Sequence, residues 1–274
     1  MPSPRTWFIT GTSRGFGREW ALAALKRGDR VVGTARDPAT LDALTAQYPD
    51  TFLGLELDVT DRAADFAVVK RAHEHFGELD IVVNNAGYGQ FGAIEELSEQ
   101  EARDQLETNL FGALWVTQAA LPFLRARGAG HIIQVSSIGG ISAFQTVGIY
   151  HASKWALEGL SQTLAQEVKP FGIAVTLIEP GGFATDWGGA SARRAARLPA
   201  YEHSYEAMAQ RRASNAPGDP LASAEAIMRV VDAPEPPLRC FFGALPLATA
   251  EADYAARLAL WREWQPVAEL AQGG

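Results

Sequence analysis

Apolar residues in the first two thirds of the chain fall into short continuous runs separated by longer stretches with helical spacing. The runs are Trp7 to Thr10, Arg30 to Ala35, Phe52 to Leu57, Leu79 to Val83, His131 to Val135 and Ile173 to Ile178. Each is bounded by turn or polar residues, which suits strands buried on both faces. Between them the spacing predicts helices from Glu19 to Leu25 with a stop at Gly28, from Thr40 to Gln47, and from about Asp61 to Phe76. Ser98-Glu99-Gln100-Glu101 fits a capping box and opens a long helix to about Leu124. The stretch from Tyr150 to Glu167 holds Ala, Leu, Glu and Gln without proline, and is also expected to be helical. Strands alternating with helices at this rhythm predict an α/β fold, a doubly wound parallel sheet with right-handed crossovers and helices on both faces.

After Pro180 the pattern loosens. Gly181 to Asp219 contains Gly-Gly, Arg193-Arg194, Arg197 and two weak helical stretches. Residues 183–219 follow the end of a strand, where open α/β sheets bind ligands, so they form either a substrate lid or a plain surface excursion. A helix from Ala222 to Val231, a seventh strand from Leu238 to Phe242 and an amphipathic helix over 250–270, with Tyr254, Trp261 and Trp264, complete the series. No repeat or low-complexity linker interrupts it, so 1–274 is expected to be a single domain.

The 274 residues are 47% hydrophobic, enough to bury a large core without staples. A net charge of −8 argues against a nucleic-acid surface, which is normally basic. The single cysteine, Cys240, has no internal disulfide partner, and the start of the chain lacks the apolar core of a signal peptide. No run approaches the ~18 apolar residues of a membrane span. These features predict a soluble cytoplasmic protein, and no metal site is expected.

Two stretches carry candidate chemistry. Tyr150 and Lys154, four apart, stack on one face of a helix. An ammonium roughly 4 Å from a phenol favours phenolate by about 4 kcal/mol at an effective dielectric of ~20, or about three pKa units before desolvation. Such a pair suits proton exchange near neutral pH, although an exposed neighbour pair has the same spacing. Gly11-Thr12-Ser13-Arg14-Gly15-Phe16-Gly17 stands between the first strand and the first helix. In that context glycines let backbone N–H groups approach a pyrophosphate, and the helix N-terminus favours the anion.

Thr10-Gly11-x-x-x-Gly15-x-Gly17, Asn84-Asn85-Ala86-Gly87, Ser137 and Tyr150-x-x-x-Lys154 occur in this order from about residue 6 to 186. The set resembles the short-chain dehydrogenase/reductase family in its single-domain branch. Tyr88-Gly89-Gln90-Phe91-Gly92 is similar to the hydroxysteroid and retinol dehydrogenase members. The resemblance implies a Rossmann fold and an NAD(P)-dependent oxidoreductase acting on an alcohol or carbonyl, commonly a homodimer or homotetramer. By it, Tyr150 is the acid/base, Lys154 its activator, and Ser137 the hydrogen-bond donor to the substrate oxygen. Ser136 competes with Ser137, but the family spacing to Tyr150 selects Ser137. Asn109 would hold a water beside the lysine. The cofactor would be held by Gly11, Ser13, Arg14, Gly15, Phe16 and Gly17, with Tyr150 and Lys154. Asp58 and Val59 would meet its adenine. Asn85, Ala86 and Gly87 would line the cleft, while Pro180, Gly181, Phe183 and Thr185 would touch the nicotinamide.

At the end of the second strand, where an NAD-preferring fold places an acid, stand Ala35 and Arg36. Arg36 with Arg14 suits a 2′-phosphate, which predicts NADP(H) over NAD(H), unless Asp37 pairs with Arg36. Tyr88, Phe91, Ile138, Phe144, Val147, Phe183 and Trp187 are candidate pocket residues that suit a hydrophobic ketone, aldehyde or secondary alcohol. The alternative is a redox sensor that binds NADP(H) without turnover. A sugar-nucleotide epimerase or dehydratase shares the Tyr-Lys chemistry but carries a larger C-terminal region.

Overall fold

The computed structural model describes residues 4–189 and 191–273. Its strands are β1 (Thr6–Ile9), β2 (Arg30–Ala35), β3 (Phe52–Glu56), β4 (Ile81–Asn84), β5 (Gln90–Phe91), β6 (Gly130–Val135), β7 (Ile173–Pro180), β8 (Arg193–Arg194) and β9 (Arg239–Phe242). Its α-helices are α1 (Gly15–Arg27), α2 (Asp42–Gln47), α3 (Arg62–Phe76), α4 (Glu99–Leu106), α5 (Gly112–Arg127), α6 (Gly148–Val168), α7 (Glu202–Ala213), α8 (Ala222–Asp232) and α9 (Pro246–Ala271). Seven strands form one sheet in the order β3-β2-β1-β4-β6-β7-β9. Every adjacent pair in it is parallel. This is the Rossmann-like doubly wound sheet that the alternating pattern predicts. The chain winds outward from β1 to β3 and then returns to place β4 on the other flank of β1. That reversal opens a crevice at the C-terminal ends of β1 and β4, where folds of this type bind ligands.

Successive residues of β1 bury into opposite layers. Trp7 and Ile9 join a core with Trp20, Val31 and Ile227, while Phe8 joins one with Val32, Val69, Val116 and Leu124. Alternation by the pleat explains why the strand runs are continuously apolar: both faces are covered. Helix ends follow local chemistry. Asp61 accepts from the N–H groups of Ala63 and Ala64 to open α3. Gly28 closes α1 at φ 94°, in the left-handed region that glycine tolerates. The capping box at Ser98 and Glu101 forms as its sequence implies.

One expectation is corrected. The helix predicted to run unbroken from Ser98 to about Leu124 is interrupted by a π-helical turn, Glu107–Phe111, between α4 and α5. The wide turn lets Asn109 reach the backbone of Tyr88, accepting from its N–H at 3.1 Å and donating to its carbonyl at 2.9 Å. Such bulges often mark functional positions. The C-terminal helix forms, but its apolar side is not packed on the body: Trp261 and Trp264 are 56% and 58% exposed. It docks through its first half, where Asp253 accepts from Ser142 and Arg257 lies over Trp155. Among the described residues, no helix is long and apolar enough to cross a membrane.

One buried acid generates a stability prediction. Asp65 on α3 is fully buried, and neither carboxylate oxygen has a partner among the described residues. Burial, and then the charges of Asp61 and Asp58, push its pKa up to about 8. The folded chain therefore holds a proton that the unfolded chain releases near pH ~4. That contribution to stability is complete below ~4 and is lost as pH rises through about 8. Asp65→Asn should be more stable than the parent by a margin that grows by up to about 1.4 kcal/mol per pH unit between pH 5 and 8. Urea unfolding at the two pH values measures the margin, and a constant margin would show that the carboxyl ionises freely.

Candidate active site

The glycine turn and the β4 end are tied together. Asn85 Nδ2 donates to the carbonyls of Thr10 at 2.8 Å and Gly11 at 3.0 Å. In return, Thr10 Oγ1 accepts from the N–H groups of Asn85 and Ala86. Gly11 and Gly15 sit at φ +70° and +59°, and a Cβ on Gly17 would come within 2.5 Å of Asn85 Nδ2 and the Gly11 carbonyl. The helix α1 opens at Arg14 without a side-chain cap, which leaves its first N–H groups free of a side-chain acceptor. Ser13 lies within the same turn. This cradle fits the pyrophosphate of a dinucleotide. Phe16 meets Phe183 edge-on at 5.0 Å, and Thr185 lies 4.0 Å from where a Gly15 Cβ would stand. The chain leaving β7 through Pro180 and Gly181 thus arches over the turn.

Thr12 N–H donates to the Thr34 carbonyl, which brings the glycine turn beside the end of β2, where Arg36 follows Ala35. Arg14 pairs with Asp186 at 3.4 Å. Asp37 caps the next turn by accepting from Ala39 N–H, and Arg36 makes no ion pair among the described residues. Asp58 closes a local turn onto Thr60, and Val59 packs on Gly112.

At the chemical end, Tyr150 and Lys154 are both buried on α6. Lys154 Nζ lies 5.8 Å from the Tyr150 ring centre and donates to the Val135 carbonyl at 2.8 Å. Burial pushes the Tyr150 phenol up to about 12, against the opposing effect of the Ser137 hydroxyl beside it. Burial also brings Lys154 down to about 8, while Glu158, one turn on, works to raise it. The expected lowering of the tyrosine by the lysine is therefore not what this protein shows; desolvation outweighs the charge pair. Ser136 and Ser137 point differently. Ser137 caps the turn at Gly139 on the Tyr150 side, whereas Ser136 is buried near Gly140 and Glu158. Asn109 Nδ2 also reaches Ser153 Oγ at 3.3 Å, and Gly87 lies against Asn109.

A buried cluster behind Lys154 escaped sequence reasoning. Glu158, Glu179 on β7 and Arg239 on β9 converge, with Arg239 Nε 2.8 Å from Glu158 and 3.4 Å from Glu179. Burial beside Glu158 pushes Glu179 up to about 9, so it stays protonated at neutral pH. Glu158, four residues from Lys154, was the available signal; Glu179 looked like any strand residue.

The described residues of 183–219 include regular elements. They contain β8, which pairs with β5, and α7. Trp187 lies over Tyr150 at 4.8 Å and against Phe91 at 5.3 Å between ring centres. Phe91, Val147, Phe144, Trp187 and Met208 form one apolar cluster with Tyr150, of which Met208 was not anticipated. Phe183 stands apart from it, against Phe16, and Tyr88 packs under Arg193. A Cβ on Gly89 would come within 2.5 Å of the Trp187 ring. Gly89→Ala should displace the indole from Tyr150, giving red-shifted, more quenchable tryptophan emission that is absent when Trp187→Phe is added. Unchanged emission would place the indole elsewhere.

Residues 5–195 match the short chain dehydrogenase family. Oxidoreductase BOA17 of Botryotinia fuckeliana is 41% identical over 87% of this chain and 89% of its own. Human retinol dehydrogenase 8 is 37% identical over 68% of this chain and 61% of its own. The crystal structure of a short-chain dehydrogenase from Streptomyces avermitilis superposes with a TM-score of 0.93 at 40% identity, covering 99% of each chain. The protein belongs to the short-chain dehydrogenase family of oxidoreductases, whose Rossmann-like fold binds NAD(P) cofactors.

Proposed function

We propose that the protein is an NADP(H)-dependent oxidoreductase that transfers a hydride between nicotinamide and a hydrophobic carbonyl or secondary alcohol, with Tyr150 as acid/base. The observation that carries this reading is the buried Tyr150 phenol beside Ser137 and Lys154, walled by Phe91, Val147 and Trp187. The bound nicotinamide supplies or takes the hydride. In reduction, Tyr150 gives its proton to the substrate oxygen while Ser137 hydrogen-bonds the same oxygen and stabilises its developing charge. Lys154, held by the Val135 carbonyl, keeps a positive charge near the departing proton. Asn109, fixed on the Tyr88 backbone by the π-helical turn, stands on the far side as the family's water holder. The phenol, which burial raises to about 12, is protonated at neutral pH and so holds the proton that reduction consumes. Residues 183–219 serve as the lid, with Trp187 excluding water from the reacting oxygen. The apolar wall and the likeness to a retinol dehydrogenase both support a hydrophobic substrate.

Three outcomes are expected, the first two from one set of assays. Tyr150→Phe should lower NADPH-dependent reduction of a hydrophobic ketone by about 10²–10⁴-fold while NADPH still binds. In the parent protein the rate should fall as pH rises through about 8, where Lys154 loses its charge. Stopped assays across pH 6–10 measure both, and full activity in the Phe variant would remove Tyr150 from the chemistry. The preference for NADPH rests on Arg14 and Arg36, the second of which has no competing carboxylate partner among the described residues. Arg36→Glu should shift the NADPH/NADH ratio of kcat/KM by about 10–100-fold towards NADH, the equivalent of one lost charge-assisted hydrogen bond. An unchanged ratio would mean that Arg36 does not touch the 2′-phosphate.

A further inference from the structure

Phe91, which meets Trp187 over Tyr150, also lines a second cavity of about 170 Å³ with Tyr205, Met208 and three arginines, Arg194, Arg197 and Arg212. The volume falls below the few hundred Å³ of a pocket that encloses a whole ligand, and it suits a head group. Arg194 and Arg212 share one ring, their guanidinium carbons 5.2 and 5.0 Å from the Phe91 centre. Neither makes an ion pair among the described residues; Arg194 donates instead to the Gly188 carbonyl at 2.8 Å. Arg197 approaches Glu202 only to 3.8 Å and rests over Tyr205. Glu96, the neighbouring carboxylate, is taken by the Tyr205 hydroxyl and the N–H groups of Leu198 and Ala93.

These arginines are solvent-exposed, and what sets Arg194 and Arg212 apart is that both lie against the one Phe91 ring at the rim of one cavity. Two like charges held against one aromatic ring oppose each other, and a bound anion would relieve that repulsion. Arginine forks also match oxyanions with two parallel hydrogen bonds.

We propose that this cavity seats the oxyanion head group of the substrate, a carboxylate, phosphate or sulfonate, whose apolar chain runs along Phe91, Met208 and Trp187 to a carbonyl at Tyr150. The substrate is thus an anionic, chain-bearing carbonyl compound rather than a neutral one. The inference rests on the reading of Tyr150 as the acid/base of a carbonyl reductase.

The test compares NADPH-dependent reduction of 9-oxodecanoate and its methyl ester by the parent protein, Arg194→Gln and Arg212→Gln. The parent should favour the acid by about 10–100-fold in kcat/KM, mostly through KM, as one or two charge-assisted hydrogen bonds imply. Either substitution should bring the acid/ester ratio towards one, and the ratio is read within each protein so that a general loss cancels. In parallel, decanoate, decyl phosphate, decanesulfonate and decanol are titrated calorimetrically into each protein. Binding of at least one of the three anions over decanol, lost in both variants, supports the site, and the tightest of them names the head group. Equal turnover of acid and ester, with no arginine-dependent anion binding, overturns the anion site and leaves the oxidoreductase reading intact. Arginine-dependent anion binding with neither carbonyl reduced keeps the site and counts against the reading of Tyr150.

Discussion

The hydrogen bonds between Asn85 and the Thr10–Gly11 backbone hold two strand-end turns at a fixed separation, and the rest of the site is built outward from them. A parallel sheet that reverses its winding between β1 and β4 leaves a crevice there by topology alone. Topology does not set its width. The amide does, by satisfying carbonyls that the left-handed glycines turn inward, and the fit is close enough that Gly17 has no room for a Cβ. Asn84, next in the chain, faces the other way and donates to Thr117 and Gln134, which secures β4 against α5 and β6. One Asn-Asn pair thus anchors both the cleft and the sheet beneath it.

The chemical end shows how burial outweighs a nearby charge. Tyr150 and Lys154 are both nearly without solvent, and desolvation penalises the charged form of each: the phenolate and the ammonium. The lysine spends its best hydrogen bond on the Val135 carbonyl rather than on the tyrosine. Its charge is supported from behind by Glu158, which in turn shares Arg239 with a protonated Glu179. This buried chain of charges couples α6 to β7 and β9, so the electrostatics of the site depend on the sheet edge as well as on the helix that carries the pair.

The segment after β7 joins the two ends. Phe183 contacts the glycine turn through Phe16, Asp186 reaches Arg14, and Trp187 covers Tyr150. One short stretch therefore touches both the glycine turn and Tyr150. Its β8 pairs with β5, which follows directly on the Asn-Asn-Ala-Gly turn, and that pairing places the arginines of β8 beside Phe91.

Local pattern alone determined the strand–helix alternation, the parallel sheet, the cap at Ser98, the glycine turn and the pairing of Tyr150 with Lys154 on one helix face. All of these are set within a few residues by periodicity, backbone freedom and side-chain reach. The tertiary structure alone decided what depends on residues far apart in the chain. The π-helical turn at Asn109 exists because a distant backbone at Tyr88 offers partners for its amide. The high Tyr150 pKa follows from walls contributed by Phe91 and Trp187, and Arg194 meets Arg212 only because α7 folds back over β8. Burial and charge are sums over neighbours in space, and a linear sequence does not order them.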